Sequence, residues 1–511
     1  QGIMVIDISN PAVLKKVSSL KVPGETVFEI FIQGQRAYLS ALGNGIHIVD
    51  LTDLKKLTLI GTVETTGTAT DVFVKDDLML VADTQGGLTI FRRSGKATAA
   101  LPSTNILTAN TNQGDFFPRN ILAMGISDSA KPSLKPAVLK QKPAPAAASV
   151  TCIVSTNANE GEGSLRTCLE TISNGTTVTF DTKVFSVSKP ATILLKNPLP
   201  MVDQKTNITI DASNAGVILD GGQLEGVTGL DLYVSDSKIM GVQFLNFDNE
   251  ALRINGDRNQ VGGNRLNGSA PTGEGVLIGN SGPNGLHING KNNAVMGSFI
   301  GVDSSGTKAL PNFYGLFISD SAEDCKVGGL NPGEGNIISG NTSTNLLVWA
   351  KGTQVIGNII GLDINGTKAI DPNTERGLCL ENRAYNTIVG GTTPQERNII
   401  SGAQMGIVLS DWPTYQNSII GNYIGTDITG MKAVPNQNGI VVFVVSHNRI
   451  GGSAPGEGNL ISGNQRAMDI NGTNAADNII IGNSFGLDAS GKPTLPNKSG
   501  IGINTGHVHN T

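Results

Sequence analysis

Apolar and polar residues alternate in short runs over the first 95 residues. "VFEIFIQGQRAYLSA" from Val27 and "DVFVKDDLMLVAD" from Asp71 place apolar residues at every second position, with polar turns between runs. That period predicts half-buried β-strands joined by tight turns. The phrase "GIMVIDISNP" at Gly2 returns as "GIHIVDLTDL" at Gly45 and "GLTIFRR" at Gly87, offsets of 43 and 42 residues. Short strands repeating at that interval predict propeller blades, each burying its faces against its neighbours.

From Val150 the pattern changes. Short apolar runs such as "GLFISD", "NIISGN", "NLLVWA" and "QVIGNIIG" are separated by Gly, Asn and Ser. A longer unit of roughly 60–66 residues contains a VGG or IGG phrase (Val261, Val327, Val389, Ile450), then a Glu (Glu274, Glu334, Glu396, Glu457). "NIISGN" or a variant follows, and last a GN-x-IG-x-D phrase. Taking apolar runs about 20 residues apart as successive coils predicts a parallel β-helix with three coils per unit. Residues 165, 168, 169 and 172, all apolar, form a short amphipathic stretch before the first coils. They predict a helix that covers the open end of the stack, whose edge groups otherwise lack partners.

Between these segments, "AKPSLKPAVLKQKPAPAAAS" reads as an extended Pro/Ala/Lys-rich spacer over 96–149. A solvated linker is its plain reading, and binding of an acidic polymer by Lys131, Lys135, Lys140 and Lys142 the alternative. The predicted architecture is therefore all-β: a partial propeller (1–95), a linker (96–149) and a right-handed parallel β-helix with an N-terminal cap (150–511). The chain opens and closes within repeats, so missing sequence or another chain is expected to complete the propeller.

Composition narrows the function classes. Glycine is abundant (65 of 511 residues), while aromatic residues make up 5% and charged residues 15%. A net charge of -5 gives no reason to expect nucleic acid as a partner. No apolar run is long enough to span a membrane as a helix. The four cysteines, Cys152, Cys168, Cys325 and Cys379, form no CxxC pair, which argues against zinc. Cys152 and Cys168 are close enough to be bridged in an oxidising compartment; the other two read as buried thiols.

Two resemblances extend this reading. The GI-x-(I/V)VD phrases resemble the LVIVD-repeat propellers of bacterial and archaeal surface proteins. The opening "SVTCIVSTNANEGEGSLRTCLETI", with Gly163, Ser164, Leu165 and Arg166, resembles right-handed β-helix repeat proteins of bacterial surfaces, as do the later "NIISGN" and "GNYIGTDITG" phrases. This second resemblance implies fold more than function, since such scaffolds serve adhesins, fibres and carbohydrate enzymes.

The repeated aspartates Asp303, Asp363, Asp427 and Asp488 would stack in one column, about 14 Å apart if each unit is three coils. That is too far to share a substrate bond or an ion, so each reads as a cap on its own turn. A weak calcium site at these residues is the alternative. Function is then expected where repeats disagree, at Trp349, Tyr385, Trp412, Tyr415 and His447, whose rings offer faces for sugars. Glu323, Asp324, Glu375, Arg376, Glu381 and Arg383 are mixed acid–base candidates, but no GxSxG, HExxH or P-loop occurs. The sequence thus favours a non-catalytic extracellular or cell-surface adhesion, fibre or envelope protein. Its expected partners are glycans or other surface proteins, with self-association into filaments as a further possibility and no obligatory cofactor. The alternative is a polysaccharide lyase or glycoside hydrolase.

Overall fold

A computed structural model describes residues 150–504 apart from 223, 473 and 474; within 2–92 it describes all but 8–14, 23–26, 28, 42–44, 66–68, 76–77 and 84–86. The chain divides into two units, 1–139 and 140–511. The spacer 96–149, with its four lysines, lies outside the described residues.

Among the described residues of the first unit every strand pairing is antiparallel. A four-stranded sheet runs Glu29–Gln33, Arg36–Ser40, Ile46–Asp50 and Thr58–Val63, between a two-stranded and a three-stranded sheet in chain order. Period-two alternation gives its middle strands two apolar faces. Ala37, Leu39 and Val49 pack with Ile3, whereas Tyr38 and Ile46 pack with Val72 and Val81. Stacked sheets of this kind are consistent with a propeller-like part.

The second unit is a parallel β-helix of about 12 turns, with three sheets along its length. The first sheet runs from Thr151–Val154 to Ile479–Ile481, the second from Ala191–Leu194 to Ser484–Phe485, and the third from Val202–Thr206 to Ser499–Asn504. Equivalent residues align coil upon coil. Ile210, Ile239, Val261, Val295, Val327, Val355, Val389, Ile419 and Ile450 form one such column, all buried in a single continuous core.

Coil length departs from the expectation. "CKVGG", "NIISGN" and "NLLVWA" lie in the first, second and third sheets of one coil, so a coil takes about 30 residues rather than 20. Each 60–66-residue unit is two coils, not three. Successive aspartate loops are consequently about 10 Å apart. They reach across the intervening coil to touch: Ile364 N–H donates to Gly306 O at 2.9 Å and Ile428 N–H to Gly366 O at 2.8 Å.

Asparagine sets the corners. Between the first and second sheets, Asn336, Asn358, Asn398, Asn422, Asn459 and Asn483 form an unbroken ladder, each Oδ1 after the first accepting from the preceding asparagine's side chain and backbone N–H. Shorter ladders (Asn417–Asn448–Asn478 and Asn436–Asn464–Asn497) occupy the other two corners. The amide suits a buried corner because it both donates and accepts. Where a sharper turn is needed glycine appears: Gly390 has φ +89°, and a Cβ there would collide with the Ile420 carbonyl oxygen.

Helix α1, Leu165–Glu170, is capped by the Ser164 hydroxyl, which accepts from Thr167 N–H at 3.2 Å. Its apolar side, Leu165, Cys168 and Leu169, closes the end of the core. Six residues are too few for a stable isolated helix, so packing holds it. A disulfide joins Cys168 to Cys152 on the first strand, 16 residues away. Reduction should destabilise this end by about 3 kcal/mol through the freed loop. Hydrogen exchange over residues 151–180, with and without reductant, measures it; unchanged protection would contradict the expected role.

Candidate functional site

In the third sheet alternate residues enter the core: Leu286, Ile288, Leu316, Ile318, Leu346, Val348, Leu378, Leu380, Ile407 and Leu409. The residues between them face outward and stack in register. Asp231, Arg253, His287, Phe317, Leu347, Cys379, Val408, Val441 and Asp469 form one such outer column. Its middle is apolar: Leu347, Cys379 and Val408 pack with Tyr314, Phe317, Trp349, Met405 and Val441, in a cluster separate from the core. Phe317 meets Trp349 edge-on with centroids 4.8 Å apart. Tyr233 (41% exposed) and Phe443 (48%) stand farther along the same face.

A polar network occupies the N-terminal end of the face. Glu250 is buried (4% exposed) and accepts from His287 Nδ1 at 2.6 Å, Asn284 Nδ2 at 2.8 Å and Arg253 Nε. Arg253 also approaches Asp231 Oδ2 at 3.5 Å. Burial raises the Glu250 pKa, but the bond and charge of His287 and the hydrogen bonds of Arg253 and Asn284 outweigh it and bring the value down to about 2. Burial pushes the Asp231 carboxyl up, and Arg253 and Asn255 oppose without cancelling it. Beside this network a ladder continues up the sheet: Asn255 donates to Asp231 (2.7 Å), Asn289 to Asn255 (2.8 Å) and Ser319 to Asn289 (2.7 Å).

Some of the mixed acid–base candidates also meet on this face. Arg376 pairs with Glu381 at 3.5 Å, and Glu381 accepts from Trp349 Nε1 (3.1 Å), Cys379 Sγ (3.2 Å) and Ser410 Oγ (3.2 Å). Glu375 accepts from Ser343 at 2.9 Å. Glu323 pairs instead with Lys291 (3.1 Å) at the corner beyond, while Asp324 and Arg383 sit there with positive φ. Cys325 is buried in the main core and Cys379 in the outer cluster, where burial holds its thiol well above the usual range. Polar atoms left without a partner here include His287 Nε2, Thr344 Oγ1 and Arg376 Nε.

The variable turns lie at the corner leading from the third sheet to the first. Tyr385 and Tyr415 stack in parallel, centroids 5.2 Å apart, with Lys351 Nζ 5.9 Å from the Tyr385 centroid. Trp412 projects into solvent, 66% exposed, ahead of a cis peptide to Pro413. His447 is exposed, 3.6 Å from Asp477. Trp349 differs from these: it is half-buried directly after the strand Thr344–Val348, packed into the outer apolar cluster.

The repeated aspartates turn inward on their loops. Asp363 Oδ1 accepts from Thr367 N–H (2.7 Å) and Lys368 N–H (3.1 Å). Asp303 and Asp427 repeat the arrangement with Thr307 and Lys308 and with Met431 and Lys432, whereas Asp488, its lysine one residue nearer, accepts from Ser490 and Lys492 N–H. Against the effect of burial, these bonds hold Asp303 and Asp363 below the usual carboxylate range. Among the described residues no three His, Cys, Asp or Glu side chains come together to hold a metal ion.

Sequence reasoning missed Asp231, Glu250, Arg253 and His287. Their separations match no local motif; the available signal was a charged residue at the outward position of an apolar strand, as in "LRI" and "NGLHI".

The LVIVD repeat family matches residues 1–21, 26–65 and 66–91, so the N-terminal segment carries LVIVD repeats. No curated protein matches the sequence. Two solved structures are similar to the chain. The periplasmic alginate epimerase AlgG has TM-score 0.33 at 12% identity, covering 69% of this chain and 83% of that one. The pectate lyase Pel9A has TM-score 0.31 at 11% identity, covering 65% and 76%. No residue role is carried over from either. Among the described residues no helix is long and apolar enough to cross a membrane.

Proposed function

We propose that the β-helix is the glycan-contacting part of an extracellular or envelope adhesion or fibre protein, holding polysaccharide along the outer face of its third sheet without cleaving it. The observation that carries this reading is the strip of Tyr233, Phe317, Trp349 and Phe443 on one face, with Trp412 at the adjoining corner. Aromatic faces remove the apolar side of a sugar ring from water, while neighbouring polar groups bind its hydroxyls. Coils repeat every 4.8 Å or so, a step comparable with one pyranose residue, so a chain laid along the axis meets equivalent positions repeatedly. The Cys152–Cys168 disulfide fits an oxidising compartment.

The test is affinity electrophoresis or calorimetry of the full chain against a polysaccharide panel. Trp412→Ala and Trp349→Ala should each weaken binding about tenfold, near 1.4 kcal/mol for a lost ring contact. Trp412 touches no core cluster, so its variant should keep the parent's stability. Parent-like affinity in both variants would remove the strip from consideration.

The alternative is a polysaccharide lyase or glycoside hydrolase using the acid pair Asp231 and Glu250 with Arg253 and His287. Two facts weigh against it. Both Glu250 oxygens are engaged by the protein, and an acid held near 2 is a poor proton donor at neutral pH. New reducing ends or unsaturated products, abolished by Glu250→Gln, would favour cleavage instead.

A further inference from the structure

We infer that the polysaccharide this face accepts is uncharged, and that the face discriminates against polyuronates. This rests on the glycan-binding reading above and names the class of glycan.

A carboxylated sugar is recognised through unpaired cations, above all a guanidinium whose fork is free for bidentate bonding. Each arginine of the third-sheet face already has a carboxylate. Arg253 contacts Glu250 and Asp231, Arg376 contacts Glu381, and Arg466 contacts Asp469 at 2.8 Å. With Glu375 beside Arg376, and with Asp203 and Lys205 on the sheet's first strand, six carboxylates stand against three guanidinium groups and one ammonium. Protonation of His287 would leave the balance negative.

Glu250 anchors that balance. Its pKa near 2 keeps it charged and holds Arg253 against it, so the N-terminal end of the strip offers no free guanidinium to a carboxylate. A polyuronate laid along the coils would bring several carboxylates against this surface. Each like-charge approach near a protein surface costs on the order of 1 kcal/mol or more at low salt, and the cost accumulates with the number of sugars bound.

The remaining polar groups suit hydroxyls. The ladder Asp231–Asn255–Asn289–Ser319 presents amide, hydroxyl and carboxylate groups one coil apart. Phe317 is stacked on His287 with centroids 4.7 Å apart, so beside it the half-buried Trp349 and these polar groups suit an uncharged ring through apolar contact and hydrogen bonding together.

The experiment compares the full chain with neutral β-glucan, mannan and galactan, with polygalacturonate and alginate, and with chitosan as a cationic polymer. We expect at least one neutral polymer to bind ten times or more tightly than either polyuronate at low ionic strength. Added salt should strengthen residual polyuronate binding by screening repulsion. Asp469→Asn, which frees the half-exposed Arg466, should tighten polygalacturonate binding at least threefold; Glu381→Gln should do the same through Arg376. Circular dichroism establishes that each variant is folded, and Asp469→Asn carries the test if Glu381→Gln is not. Equal or tighter binding of a polyuronate, binding of chitosan alone, or polyuronate binding weakened by salt would overturn the inference while leaving glycan binding in place. Binding of no polymer would overturn the proposed function itself.

Discussion

Replacing Asn422 by Ala is expected to lower the unfolding free energy by about 4 kcal/mol, since each buried polar group left unpaired costs roughly 1–3 kcal/mol. Asn422 Oδ1 accepts from both the backbone N–H (3.2 Å) and the Nδ2 (2.9 Å) of Asn398. Its own Nδ2 donates to Val389 O, Ile420 O and Asn459 Oδ1 at 2.9, 3.0 and 3.1 Å. All these groups are shielded from water, so alanine strands two donors and removes a donor from three acceptors. The ladder also predicts a gradient. Asn483, at its end, is only partly buried, and Asn483→Ala should cost about half as much because water reaches the freed groups. Denaturant unfolding of the two variants, with hydrogen exchange on the flanking coils, measures both numbers. A loss below about 1 kcal/mol for Asn422→Ala, or equal losses at the two positions, would show that the ladder does not hold the corners.

Glu250→Ala should be comparably damaging, about 3–5 kcal/mol, because it leaves Arg253 and the half-buried His287 without their central acceptor. Acid provides a second way to see the same network. The folded-state pKa of Glu250, about 2, lies below its ordinary value of 4.5, so its contribution is present above 4.5 and is lost as the pH falls from there toward 2. The difference amounts to about 3 kcal/mol at neutral pH. Asp231 acts in the opposite sense, its raised pKa favouring the folded state slightly on acidification. The parent should therefore lose stability between pH 4.5 and 2 more steeply than Glu250→Gln, which has nothing to protonate there. Parallel pH profiles for the two proteins would place the acid-sensitive group elsewhere.

Both effects belong to columns of residues, and the columns were unequally legible. The asparagine ladder is visible as repeated letters, because each ladder position recurs in a phrase such as "NIISGN" or "GNYIG". The aspartate loops were legible for the same reason, and their local geometry follows from Asx and glycine turn chemistry. Counting coils was not. The register steps from Phe299 to Ile337 span 38 residues and from Ile337 to Ile359 only 22, because long and short corners alternate. A mean spacing of apolar runs therefore misassigned runs from different sheets of one coil to successive coils.

The outer face was the least legible part. Among the five ring-bearing turn residues, Trp412 is exposed, Tyr385 and Tyr415 cover one another, and His447 lies beside Asp477. Nothing in the linear pattern separates these environments, because each depends on the corner one coil away.

By itself the sequence determined that this chain winds: alternation chose strands, glycine and asparagine chose corners, and repetition stacked like on like. The tertiary structure alone decided which unlike residues became neighbours. Glu250 meets His287 across 37 positions because strand register, acting through corners of variable length, sets the side chains that lie one coil apart.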